Sequence, residues 1–320
     1  MGTWQLLARD KDRNIVGVLQ GWEFTLTLRF NEVGSWEMTI PREMTPSGWP
    51  HPGAGVIFLR DGKVVASGNI DEEQFTWSPL EDAPGTYKLT GDTDLGRLAY
   101  RVVYPDPTKE WEEQSTQSET HYVTNGVAST VIKRLADRNC NIVGTNGLAS
   151  RKVPGLVLGS NPPVGAEISI KERFTPLLDA MRSAAFRGGG MRFDALDRLN
   201  GTIAFDVWPI ADRSDVALFG VQIGNVVSLD VRRISPVGTA ALVAGSDEGV
   251  ARQLLERRNQ QAMDAWGRRE LFLDQRQTDD TSEYEEAADE ALEDNGEQVA
   301  VSAVVVDTLA VRWGRARRRR

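Results

Sequence analysis

The 320-residue chain holds one cysteine, Cys140, and two histidines, His51 and His121. One thiol cannot close an internal disulfide, so nothing in the sequence points to an oxidising compartment. A structural zinc site needs about four Cys or His ligands at set spacings, and three residues this far apart do not supply them. Long apolar runs are missing too. The longest, residues 299–306, falls short of the about 20 residues that cross a bilayer. The opening segment MGTWQLLARDKD lacks the basic region and apolar stretch of a secretory signal. The expectation is a soluble protein made in a cytoplasm, with no membrane partner.

Signatures of common reaction centres are also missing. There is no G-x-S-x-G elbow, no G-x-x-x-x-G-K-[ST] phosphate loop, no G-x-G-x-x-G fingerprint and no H-E-x-x-H. His51 sits in the rigid Pro50-His51-Pro52 loop. His121 follows Glu119 and Thr120, so an acid/base pair with Glu119 is conceivable, against the plainer reading of a solvated loop histidine. Cys140 reads as a half-buried helix-end residue whose pKa the neighbouring Arg138 would lower. The acidic run of residues 279–290 lacks the glycine of a calcium loop and reads as a solvated helix face. Asn200-Gly201-Thr202 reads as a turn. No catalytic, cofactor or metal residue is assigned.

Acidic residues outnumber basic ones, 46 to 37, for a net charge of -9, and without the six arginines of residues 312–320 the rest stands at -15. So acidic a body repels phosphate backbones, which disfavours nucleic acid as a partner. The arginine tail itself has three readings: a nucleic-acid arm, a solvated disordered end, or the product of a reading-frame change.

What is present is β structure. Residues 1–93 alternate with period two, are rich in Trp, Phe, Val, Ile and Thr, and are cut by turns. Strands are expected at residues 4–9, 24–30, 36–40, 56–60, 63–67 and 87–90, with Asp61-Gly62 as a tight hairpin turn. The proline-rich stretch 41–53 is expected to be a surface loop. Residues 94–215 read as an α/β region. Short helix signals at 94–102 precede a polar loop at 105–120 and a helix at 127–138. A further helix at 176–186 has Thr175 as N-cap and Leu178, Met181, Ala185 and Phe186 on one side. A hairpin turns at Asn200-Gly201. Residues 216–311 read as a second β region, with strands at 216–219, 226–232, 240–244, 270–275 and 299–306 and helices at 249–258 and 282–294. The class is α+β, mainly β, and residues 312–320 form a separate tail.

The order of certain segments resembles a family, the siphophage minor tail proteins of actinobacterial phages and prophages, related in fold to baseplate-hub proteins. The segments are Arg29-Phe30-Asn31, GSWEMTIP at 34–41, GNI at 68–70, LTGD at 89–92, LAYRVVYPDP at 98–107 and RELFLD at 269–274. The resemblance implies a structural virion component at the tail tip, a homotrimer joining tail tube to adsorption apparatus. It implies two barrel-like β domains per subunit with the α/β region between them. The first barrel would be discontinuous, with strands at 226–244 returning to the N-terminal sheet. Its partners would be tail tube, distal tail, fibre or tip proteins, and a host cell-surface glycan. Here 311–314 run into arginines, where relatives continue into an aromatic, glycine-rich and acidic closing segment, so the second barrel would be incomplete.

Nine tryptophans suit a subunit that holds large interfaces. Trp49 and Trp111, both in polar loops, are the interface candidates. Two other functions compete with assembly: a tail-borne peptidoglycan or polysaccharide hydrolase using Glu119 and His121, and a glycan-binding module.

Overall fold

The structure is a computed structural model that describes residues 3–78, 84–115, 119–212, 222, 226–246, 251–276 and 280–305. It divides into two compact units, Met1–Arg213 and Ser214–Arg320.

The first unit begins with β1 (Trp4–Arg9), β2 (Ile15–Leu19), β3 (Glu23–Thr27), β4 (Ser35–Pro41), β5 (Gly55–Arg60), β6 (Lys63–Asn69), β7 (Glu72–Thr76) and β8 (Thr86–Asp92). They form two antiparallel four-stranded sheets, ordered β2-β1-β5-β6 and β3-β4-β8-β7. Alternation explains which face each strand buries. In β4, Trp36, Met38 and Ile40 point inward while Glu37 and Thr39 face out. They share one core with Leu6, Ala8, Val56, Phe58 and Leu89 from neighbouring strands. β5 is buried on both faces: Ile57 and Leu59 join a smaller cluster with Leu7. The β5–β6 turn has the backbone its residues demand, with φ of 51° at Asp61 and 72° at Gly62.

The two sheets meet where β6 passes β8. A Cβ at Gly68 would lie 2.1 Å from the Asp92 carbonyl oxygen, and one at Gly91 would lie 2.0 Å from that of Asn69. Only glycine permits so close a backbone crossing. The arrangement is a pair of facing sheets joined at this corner.

The same unit continues through α1 (Gly96–Ala99), β9 (Tyr122–Val127), α2 (Ala128–Cys140), β10 (Leu156–Leu158), β11 (Glu167–Glu172), α3 (Leu177–Arg187), β12 (Met191–Asp197) and β13 (Ile203–Pro209). The sheet β10-β13-β12 and the pair β11-β9 pack with α2 and α3 over a second core. In α2 it takes Val131, Ile132 and Leu135, and the helix stops at Asn141, which adopts the left-handed conformation with φ 43°.

Two expectations for α3 are corrected. Pro176 occupies the N-cap position without a side-chain cap. The Thr175 hydroxyl donates instead to the Glu172 carboxylate at 2.6 Å. The buried stripe is Leu177, Ala180, Met181, Ala184 and Ala185, whereas Phe186 is largely exposed. Small alanines let the helix sit close to its sheet, and the bulkier Phe186 falls on the outer side.

The second unit contains β14 (Val226–Ile234), β15 (Ala240–Ala244), β16 (Leu254–Arg258), α4 (Gln260–Trp266), β17 (Glu270–Asp274), α5 (Thr281–Asp294) and β18 (Gln298–Val305). The order β16-β15-β17 makes one sheet and β14-β18 a separate ribbon. Tyr284, Ala288 and Leu292 of α5 pack on Ala241 and Val243 of β15. The expected helix at 249–258 is a strand over its last five residues, β16. LLERR is a good helix former, but its pairing along all of β15 overrides that preference. β14 pairs with β18, and β15 pairs with β16 and β17. The strand expected at 216–219 and the tail at 312–320 lie outside the described residues.

Candidate interaction surfaces

At the centre of the first unit a charged side chain is wholly enclosed. Arg9, the last residue of β1, has no exposed surface. Its terminal nitrogens donate to both Asp94 carboxylate oxygens, at 2.8 and 2.6 Å. They also donate to Asp197 at 2.9 Å and to the Asn69 side chain at 3.1 Å. The Ser67 hydroxyl donates to Asp94 at 2.5 Å and accepts from the Asp197 backbone N–H at 3.0 Å. Arg97 adds a bond to Asp94 at 2.9 Å and one to Asn69 at 2.6 Å. Burial on its own would raise the Asp94 pKa, but the charge and hydrogen bonds of Arg9, with Arg97 behind, hold it down at about 2. The cluster ties the β-sheet half of the unit to the end of β12.

A second joint lies beside it. Asn31 takes φ 51° between β3 and β4. Its side-chain amide donates to the Met191 carbonyl oxygen at 2.8 Å, and its oxygen accepts from the Phe193 N–H at 2.9 Å. One side chain thus mimics a strand partner along the edge of β12. Nearby, burial pushes Asp194 up to about 6.

The residues singled out from sequence fall in different places. Trp49 is only 3% exposed and packs into the core between the two N-terminal sheets. Its ring is therefore taken up by the subunit itself: the proline-rich stretch runs over the surface but folds its indole inward. Trp111, at 54%, stands out from the surface. His121 contacts the Thr120 hydroxyl, and Glu119 is exposed. Cys140 is fully buried and burial pushes its thiol up to about 12, against the lowering expected from Arg138. The acidic run from Glu283 to Glu290 belongs to α5, where Arg257 bridges Glu285 and Asp289; residue 279 lies outside the described residues. Among the described residues no group of three or more His, Cys, Asp or Glu side chains is placed to hold a metal ion, and no helix is long and apolar enough to cross a membrane.

Sequence reasoning missed the surface most unlike ordinary solvent-facing β structure. In the β14–β18 ribbon, Leu229 faces Ala303, Val231 faces Val301 and Arg233 faces Val299. These alternate positions share one face. Leu229, Val231, Val299 and Val301 are each more than half exposed. The opposite face is mixed: Ser228, Asp230, Arg232 and Ser302 stand beside Ala300 and Val304. β18 reads QVAVSAVV, with no charge and no proline to guard its edge. The signal was there in the period-two aliphatic pattern; it could not say that the two strands would stand as a pair.

A family model described as Siphovirus ReqiPepy6 Gp37-like protein matches residues 3–316. Among solved structures, the chain is similar to the tail protein from Neisseria meningitidis MC58 (14% identity, TM-score 0.50), covering 92% of this chain and 79% of that one. It is also similar to the 43 kDa tail protein of prophage MuSo2 from Shewanella oneidensis (13% identity, TM-score 0.51), covering 90% and 78%. At such identity the likeness is one of fold. No curated protein sequence matches the chain.

Proposed function

The chain belongs to the Siphovirus ReqiPepy6 Gp37-like protein family, and from that premise we propose that it is a structural component of a phage tail. Its place would be the tail tip, as a hub subunit linking the tail tube to the adsorption apparatus, with other tail proteins as partners. The fold shared with two phage tail proteins supports the tail role. The observation that carries the hub reading is the β14–β18 ribbon. Two strands alone are marginal in water, and this pair exposes an aliphatic face and an uncharged edge strand. A homotrimer in which neighbouring copies cover these ribbons would extend them toward a barrel closed between subunits. The chain then works as a part that is held, with no reaction of its own.

The test is light scattering of the purified chain, with a search for it in purified particles by mass spectrometry and antibody labelling of the tail tip. A trimer that Val301→Asp converts to folded monomers, together with labelling at the tip, is the expected result. A wild-type chain that stays monomeric at high concentration and never enters particles would remove the hub reading.

A further inference from the structure

Away from the ribbon and the buried joint, one cleft brings aromatic and ionisable side chains together. It has a volume of about 300 Å³ and is lined by Trp111, Glu112, Gln114, Ser115, Arg173 and Phe174. Phe174 meets the Trp111 ring edge to face, 5.2 Å between centroids and 63° between planes. Tyr104 approaches the same indole at 5.7 Å. Arg151 lies 3.7 Å over Tyr104, and Arg173 lies 5.2 Å over Phe174. Three rings are thus held between two guanidinium groups.

The cleft is built rather than incidental. The Gln114 amide nitrogen donates to the carbonyl oxygens of Asp106 and Lys109 at 2.9 and 2.7 Å, and its oxygen accepts from the Asp106 N–H at 3.2 Å. That staple fixes the turn that carries Trp111. On the facing side, Phe174 has φ 58°, a conformation that costs a bulky side chain about 1–2 kcal/mol. It is held there by the bond from its N–H to the Val103 carbonyl oxygen at 2.8 Å, with Val103 donating back to Thr175 at 2.9 Å. The strained residue is the one that sets the phenyl ring across the exposed indole.

We infer that this cleft binds a neutral or amino-bearing sugar ring, with Trp111 as the platform. A pyranose has one face of C–H groups and a rim of hydroxyls. The indole and phenyl supply a flat apolar corner for the first, and Arg173, Glu112 and Ser115 supply donors and acceptors for the second. The volume lies at the low end for ligand sites and suits about one or two rings. Charge selects further. The ionisable groups that line the cleft, Glu112 and Arg173, balance one another, so no excess of positive charge is there to hold a polyanionic glycan. A protein partner is the weaker reading, since a stable interface takes about 800 Å² per partner and Trp111 stands among charged neighbours.

The experiment uses the full chain and reads direct binding by calorimetry and saturation-transfer NMR, so its failure would leave the tail assignment standing. The probes are an N-acetylglucosamine trimer, a neutral galactan fragment and poly(glycerol phosphate). Saturable binding of a neutral or amino sugar in the millimolar to micromolar range is expected. Trp111→Ala should weaken it at least about tenfold, and Trp111→Phe should restore part of it, with circular dichroism and melting matching wild type. The idea is overturned if neither sugar binds, if poly(glycerol phosphate) is preferred, or if a folded Trp111→Ala chain binds as before. Loss of subunit association in Trp111→Ala without any sugar binding would overturn it too, and assign the cleft to a protein neighbour.

Discussion

Arg9 and Asp197 stand 188 positions apart in the chain and meet at 2.9 Å with neither side chain exposed. The contact closes the first unit around a buried cation with two carboxylates. Such a cluster is weak evidence for net stability, because desolvating three charges is expensive. Breaking it is another matter.

Arg9→Met should destabilise the first unit by about 3–5 kcal/mol, because Asp94 and Asp197 would be left buried with their main cation gone. Chemical denaturation followed by far-UV circular dichroism measures this. The double variant Arg9→Met with Asp94→Asn should recover part of the loss, since one uncompensated charge is removed with its partner.

Acid should loosen the same joint. The folded-state pKa of Asp94, about 2, lies below its ordinary value of 3.8. A depressed carboxylate contributes stability that is fully present above the ordinary value and is lost as pH falls through the folded one. Unfolding free energy should therefore drop from about pH 4 downward toward pH 2, and the drop should be shallower in Asp94→Asn. Denaturant titrations in steps of pH test it.

Asp194 has the opposite sign. Burial raises it from 3.8 to about 6, so its ionisation opposes folding, and the penalty grows as pH rises between those values. Asp194→Asn should be more stable than wild type above pH 6 by on the order of 1–2 kcal/mol. The gap should close below pH 4. Thermal melts at both ends of that range decide it.

Asn31→Ala should cost about 2–3 kcal/mol, from two lost hydrogen bonds to β12 and from a left-handed backbone that alanine resists. Asn31→Gly removes the same bonds but not the backbone freedom, and should recover about 1 kcal/mol. A glycine variant no better than alanine would show that the cost is all in the hydrogen bonds. Hydrogen exchange at Phe193 N–H reports the same contact locally.

Most strands of the N-terminal sheets could be read from alternation alone, and the Asp61-Gly62 turn from its residue types. β7, with the sequence EEQFT, could not: all five residues are exposed, so no apolar period marks it. α4 was missed despite a readable signal, an Asn259 side chain that accepts from the Ala262 N–H and a C-cap at Gly267. LLERR was misread because pairing outweighed local propensity. The buried joint was illegible for a different reason. Arg9, Asp94 and Asp197 each look like ordinary surface charges in their local sequence, and only the folded topology brings them together. Trp111 was legible as an exposed aromatic in a polar loop, whereas its companion Phe174 comes from another segment altogether.

The corner where Gly68 and Gly91 sit has a mechanical consequence. Sliding or hinging of one sheet over the other needs slack between them, and at this corner main chain rests on main chain with the Trp36 indole packed beside both glycines. The two N-terminal sheets are therefore locked against sliding where they cross.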